Sequence, residues 1–110
     1  MESKFRYQLT QKANADLEDI VGYIAVELSN TKAASDFVDK LQNVIEEVQL
    51  FPESGSLVSN EFLSDKEVRK KLIDDFIMYY LPDCAEKTIF ILRIVYGRRN
   101  VDEIMRQLEV

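Results

Sequence analysis

The chain has no histidine and a single cysteine, Cys84. Without histidine there is no Ser-His-Asp or Cys-His catalysis and no histidine acting as general acid or base. Any metal site containing histidine is excluded, and one cysteine is too few for a cysteine-rich zinc site or an intrachain disulfide. No apolar run approaches the roughly 18–20 residues that span a bilayer. The first residues, Met1-Glu2-Ser3-Lys4, lack the basic and apolar regions of a secretory signal. These absences lead to the expectation of a cytoplasmic protein with no cofactor and no membrane partner. The 110 residues form one expected domain, and 46% hydrophobic content suffices for a core.

Charge is unevenly spread. Residues 1–65 carry 5 basic and 12 acidic groups, whereas residues 66–106 carry 9 basic and 7 acidic groups, within a net charge of −6. Only the C-terminal half suits an anionic partner. Solvated surface alone accounts for such a distribution equally well.

The longest β-type run is Thr88 to Asn100, TIFILRIVYGRRN. Val, Ile, Phe and Tyr fit a pleated, packed surface. The even positions Phe90, Leu92, Ile94 and Tyr96 are apolar, and the odd positions Ile89, Ile91 and Val95 are interrupted by Arg93 alone. The pattern predicts a central strand, with Arg93 reaching water, a carboxylate or a ligand, because an unpaired buried guanidinium is very costly. Asp74 and Asp75 are the expected carboxylates.

Lys4 to Thr10 alternates as a half-buried strand. Thr10 suits an N-cap for a helix over 11–28, whose stripe is Leu17, Ile20, Val21, Ile24 and Leu28. After Ser29-Asn30-Thr31, a second helix runs to Leu50 with Ala34, Phe37, Val38, Leu41, Val44, Ile45 and Val48 on one face. The short link predicts an antiparallel hairpin. Phe51-Pro52-Glu53-Ser54-Gly55 ends it. Residues 56–66 read as a loop in which Phe62 and Leu63 are the only anchors. Glu67 to Ile73 and Phe76 to Leu81 read as strands about an Asp74-Asp75 turn. Val101, Ile104, Met105 and Leu108 stand at the spacing of a short helix. The expected class is therefore α+β, in the order β-α-α-β-β-β-(short α). A helical hairpin covers one face of a small, mostly antiparallel four-stranded sheet. The other face is expected to be shallow, with Arg69, Lys71 and Arg93 converging on it.

The ordered motifs Ala15-Asp16-Leu17-Glu18-Asp19-Ile20 with Tyr23-Ile24-Ala25, Ala33-Ala34, Phe51-Pro52-Glu53-Ser54-Gly55, Val68 to Ile73, Phe76 to Tyr80 and Ile91 to Asn100 resemble the RelE/ParE superfamily of toxins from bacterial type II toxin–antitoxin systems. The likeness spans nearly the whole chain and is closer to the ParE-like, plasmid-stabilisation branch. It implies a cognate antitoxin whose C-terminal segment winds around the helices and sheet. The antitoxin also supplies the DNA-reading part, so no direct sequence-specific DNA binding is expected here. The resemblance implies DNA gyrase as the target on the ParE side. On the RelE side it implies the ribosome and mRNA, with endoribonuclease activity.

RelE-type toxins use lysines on the first strand of the C-terminal sheet, an arginine on the next strand, an arginine after the last strand and often a tyrosine beyond it. In this chain Arg69 and Lys71 stand in place of the lysines and Arg99 matches the later arginine. Ile77 replaces the middle arginine and Met105 the tyrosine. Isoleucine cannot stabilise charge developing on a phosphate. The resemblance therefore favours a binding inhibitor of gyrase, with Arg69, Lys71, Arg93, Arg98 and Arg99 as the target-contact set. Lys71 and Arg99 are the catalytic candidates if the chain is instead a ribonuclease. A module that only binds antitoxin is the third alternative. The negative net charge leads to the expectation of mostly apolar antitoxin binding.

Overall fold

The structure, a computed structural model, describes residues 4–58 and 67–97. Strand β1 (Arg6–Leu9) leads into helix α1 (Gln11–Gly22), which continues as a π-helical segment, Tyr23–Glu27. Helix α2 (Thr31–Leu50) follows, then strands β2 (Ser56–Leu57), β3 (Arg69–Ile73), β4 (Phe76–Asp83) and β5 (Thr88–Tyr96). The sheet has five strands in the order β1-β5-β4-β3-β2, so the expected four are joined by β2 from the stretch read as loop. Two residues are too few to carry an alternating pattern. β2 exists because Ser56 and Leu57 pair with Lys70 and Arg69. The sheet is antiparallel except where β1 runs parallel to β5.

Both helices begin where capping chemistry predicts. The Thr10 hydroxyl accepts from the Ala13 N–H at 3.1 Å and the Asn30 side chain accepts from the Ala33 N–H at 2.9 Å. The first helix departs from a continuous α-helix over 11–28. Its last turns are π-helical, and Leu28 is 55% exposed although it belongs to the expected stripe. The hairpin packs on one face of the sheet around Phe37, Leu41, Ile45 and Val48 of α2, Met78 and Tyr80 of β4, and Ile89, Ile91 and Ile94 of β5.

The opposite face is not shallow. It carries a second buried cluster of Val68, Tyr79, Leu92 and Val95, with Val58, Ile77, Leu81 and Phe90 packed against it. Strict alternation along β5 is broken between these clusters. Tyr79 pairs with Arg93 but Tyr80 pairs with Ile91, leaving Leu92 as the extra residue of a β-bulge. Hence Ile91 and Ile94, three apart, share the helix-covered face, while Leu92 and Val95 share the other.

Beyond Ile91, β5 has no strand partner on the β1 side among the described residues, because β1 has ended and α1 has begun. Side chains near the start of α1 complete this edge. The Thr10 hydroxyl donates to the Leu92 carbonyl at 2.9 Å, and the Asp16 carboxylate accepts from the Ile94 N–H at 3.0 Å. A buried strand edge needs such partners for its backbone groups.

Candidate functional site

The cations expected to converge do not share an open face. Arg93 is 7% exposed and lies between β5 and α1. Its Nε donates to Asp16 Oδ2 at 2.7 Å and its Nη2 to Asp16 Oδ1 at 3.0 Å. The partner is thus Asp16, not Asp74 or Asp75. The bidentate fork holds the guanidinium even more firmly protonated than usual, against the opposing pull of burial. Asp74 turns outward to Lys40 of α2, with Nζ 3.0 and 3.1 Å from its two oxygens.

Arg69 and Lys71 alternate with Val68, Lys70 and Leu72, as expected, but they face the helices rather than the far side. Lys71 Nζ lies 3.0 Å from Glu47 Oε1 on α2, with its side chain only 18% exposed. Arg69 Nη1 donates to the carbonyls of Gly55 at 2.9 Å and Glu53 at 3.3 Å, and its buried Nε has no partner among the described residues. Tyr80 completes this arrangement by accepting from the Gly55 N–H and donating to the Pro52 carbonyl, each at 2.9 Å. Gly55 is required here by close approach. A Cβ on it would lie 2.5 Å from Tyr80 Oη and 2.6 Å from the Lys70 carbonyl.

Burial raises the phenol pKa of both Tyr79 and Tyr80 above 10.0. For Tyr80 the Gly55 and Ser54 hydrogen bonds and the Arg69 charge oppose that rise. Neither phenol is therefore disposed to act as a base at neutral pH. Among the described residues no Cys, Asp or Glu groups cluster as metal ligands, and no helix is long and apolar enough to cross a membrane. Cys84 is exposed. Arg98, Arg99, the expected helix from Val101 to Leu108, and Phe62 with Leu63 lie outside the described residues.

Concave regions among the described residues include two of substantial volume. One, of about 570 Å³, is lined by Phe5, Leu50, Phe51 and Pro82 with Glu53 and Glu67. The other, of about 650 Å³, lies between the helical hairpin, the β3–β4 turn and the end of β5. Residues missed by the sequence reading, notably Tyr23 and Asp19, line this second groove. Tyr23 lies off the apolar stripe of α1, and that was the only available signal.

The sequence profile of the family described as ParE toxin of type II toxin-antitoxin system, parDE, matches residues 7–101. The chain belongs to this ParE toxin family. It is the toxin component of a type II toxin–antitoxin system. The matched residues run from β1 through β5 and so span the sheet and hairpin described above. No curated protein sequence matches. Among solved structures, the chromosomal ParDE system from P. aeruginosa superposes with a TM-score of 0.65 at 24% identity, covering 84% of this chain and 96% of that one. The RelBE2 toxin–antitoxin complex from Mycobacterium tuberculosis gives 0.57 at 15% identity, covering 86% and 99%. The archaeal RelE–RelB complex from Pyrococcus horikoshii gives 0.55 at 15% identity, covering 89% and 100%. At these identities the structures are similar in fold, and that ParE-family fold is the same helical hairpin on a mixed sheet.

Proposed function

We propose that this ParE-family chain is neutralised by a cognate antitoxin and acts by binding DNA gyrase, without cleaving RNA. The carrying observation is the placement of the residues that stand where the ribonuclease branch has its cations. Lys71 is closed onto Glu47, the Nη1 of Arg69 is engaged by two carbonyls, and Ile77 packs against an apolar cluster. A phosphate would have to displace Glu47 to reach Lys71, and Ile77 has no charge to offer. The raised phenol pKa values of Tyr79 and Tyr80 make both of these phenols poor bases at neutral pH. In this reading Arg69, Lys71 and Arg93 hold the frame of the target-binding surface, and Arg98 and Arg99 complete the target-contact set. The antitoxin is the natural partner, since the similar solved structures are ParDE and RelBE pairs. Gyrase places the chain's action in the cytoplasm.

The test is inducible expression in a bacterial host, with amino-acid incorporation and the DNA-damage response followed together. Damage with translation initially intact, abolished by Arg98→Ala with Arg99→Ala, is the expected outcome. Rapid translation arrest with cleaved transcripts would replace this reading by the ribonuclease one, with Lys71 and Arg99 as its residues.

A further inference from the structure

The end of β5 is gripped from two sides just before Arg98 and Arg99 follow in the sequence. On the α1 side the Asp16 carboxylate holds the Arg93 guanidinium and the Ile94 N–H. On the β4 side the Phe76–Tyr96 pair is followed by one further bond, from the Gly97 N–H to the Asp75 carbonyl at 2.9 Å. Tyr96 also meets Phe76 edge-on, with ring centroids 5.8 Å apart. Gly97 is not required here for backbone freedom, because its φ is not in the left-handed region. It is required for space. A Cβ on it would lie 3.2 Å from the Asp75 carbonyl oxygen and 3.5 Å from Ile77 Cδ1. The first contact is too tight to keep, so one side must give by a few tenths of an ångström. The β3–β4 turn is the firmer side. Phe76 packs edge-on against Phe37 of α2 at 5.3 Å, Asp74 is bonded to Lys40, and Ile77 lies against the far-face cluster. The displacement therefore falls on the chain leaving β5.

We propose that Gly97 is a positioning residue for target binding. Its bare Cα lets the chain leave β5 in contact with the Asp75 carbonyl, and that junction sets the point from which Arg98 and Arg99 start. The inference rests on the gyrase reading for the contact that these two arginines make. It goes beyond that reading by assigning affinity to the placement of the two charges as well as to their presence.

The test is titration of purified gyrase with the full chain and its variants. Arg98→Ala with Arg99→Ala is expected to weaken binding about tenfold or more. Gly97→Val, whose branched side chain meets the Asp75 carbonyl, is expected to weaken it about tenfold, and Gly97→Ala about threefold. In the chain that already lacks both arginines, Gly97→Val is expected to have no further effect, because a residue that acts only through the arginines is fully coupled to them. A merely structural role would weaken binding in both backgrounds alike. A second variant inserts one glycine after Gly97. It keeps Gly97 and both arginines but advances them by up to about 3.8 Å, and it is expected to bind as weakly as the chain without them. Circular dichroism verifies that each variant is folded, and if Gly97→Val is not, the insertion decides alone. Wild-type affinity in the Gly97→Val and insertion variants, or equal losses for Gly97→Val in the two backgrounds, would overturn the inference while leaving the gyrase reading intact. Failure of the wild-type chain to bind gyrase, or no loss on removing both arginines, would overturn both.

Discussion

The two helices of the hairpin sit on the same face of one sheet, yet they are held there by different means. α1 is joined to β5 by a charged fork, Asp16 with Arg93, whose side chains are 14% and 9% exposed. Asp16 also serves the Ile94 N–H, so one carboxylate satisfies both a guanidinium and a strand edge. α2 meets β3 through Lys71–Glu47 and meets the β3–β4 turn through Lys40–Asp74, and in both of these pairs the acidic side chain is about half exposed. The chain leaving α2 is fastened by neutral bonds from Tyr80 to Gly55 and Pro52 together with the Arg69 guanidinium on the Gly55 and Glu53 carbonyls. The lesson is that ion pairs of the same chemical type carry different weight. A partner removed from a buried pair leaves a charge that water cannot reach, whereas an exposed pair exchanges one solvated state for another.

The sharpest way to break this comparison is Asp16→Ala. It is expected to destabilise the fold by about 3–5 kcal/mol, because the buried bidentate fork to Arg93 is broken and the Ile94 N–H loses its acceptor. Urea denaturation measures it, and a cost no larger than that of an exposed pair would show that burial does not set the weight of the Asp16–Arg93 pair. Replacing both partners, Asp16→Leu with Arg93→Met, is expected to cost less than the single change, since no charge remains to be buried.

On the α2 side the largest effect is expected from Gly55→Ala, at about 1–3 kcal/mol, because the new Cβ meets the Lys70 backbone, which cannot yield cheaply. Tyr80→Phe is expected to fall in the same range, about 1–3 kcal/mol, by stranding the Gly55 N–H and the Pro52 carbonyl. A melting curve matching wild type for Tyr80→Phe would mean that the loop is held by Arg69 alone. Lys71→Met follows at about 1 kcal/mol or less, since Glu47 can turn to solvent. Lys40→Ala should be smallest, below about 0.5 kcal/mol. If thermal denaturation placed Lys40→Ala level with Asp16→Ala, burial would not be what separates the two helices.

Local signals along the chain were legible. Thr10 caps the helix it was expected to cap, Asn30 of the Ser29-Asn30-Thr31 break caps the next, and the Asp74-Asp75 turn joins β3 to β4 with Asp74 at a φ of 55°. Each of these depends on residues within about one turn of each other. The π-helical end of α1 was not legible, because apolar spacing of three and four fits an α-helix equally well there. β2 was not legible because two residues show no period. The groove between the hairpin and the β3–β4 turn was missed for a related reason. Its residues come from the end of α1, the π-helical segment, α2, the β3–β4 turn and β5, and no one stretch of sequence contains the pattern.

The sequence by itself determined the order of the longer described helices and strands, the capped start of the first helix, the β3–β4 turn and the family, since these follow from short-range spacing and from motifs in a set order. Only the tertiary structure decided where the charges go. A one-residue bulge at Leu92 re-aims β5, and the carboxylate that receives Arg93 lies 77 residues away in the chain. Strand register and the choice between two faces are properties of paired strands. They exist only once β4, β5 and α1 have met.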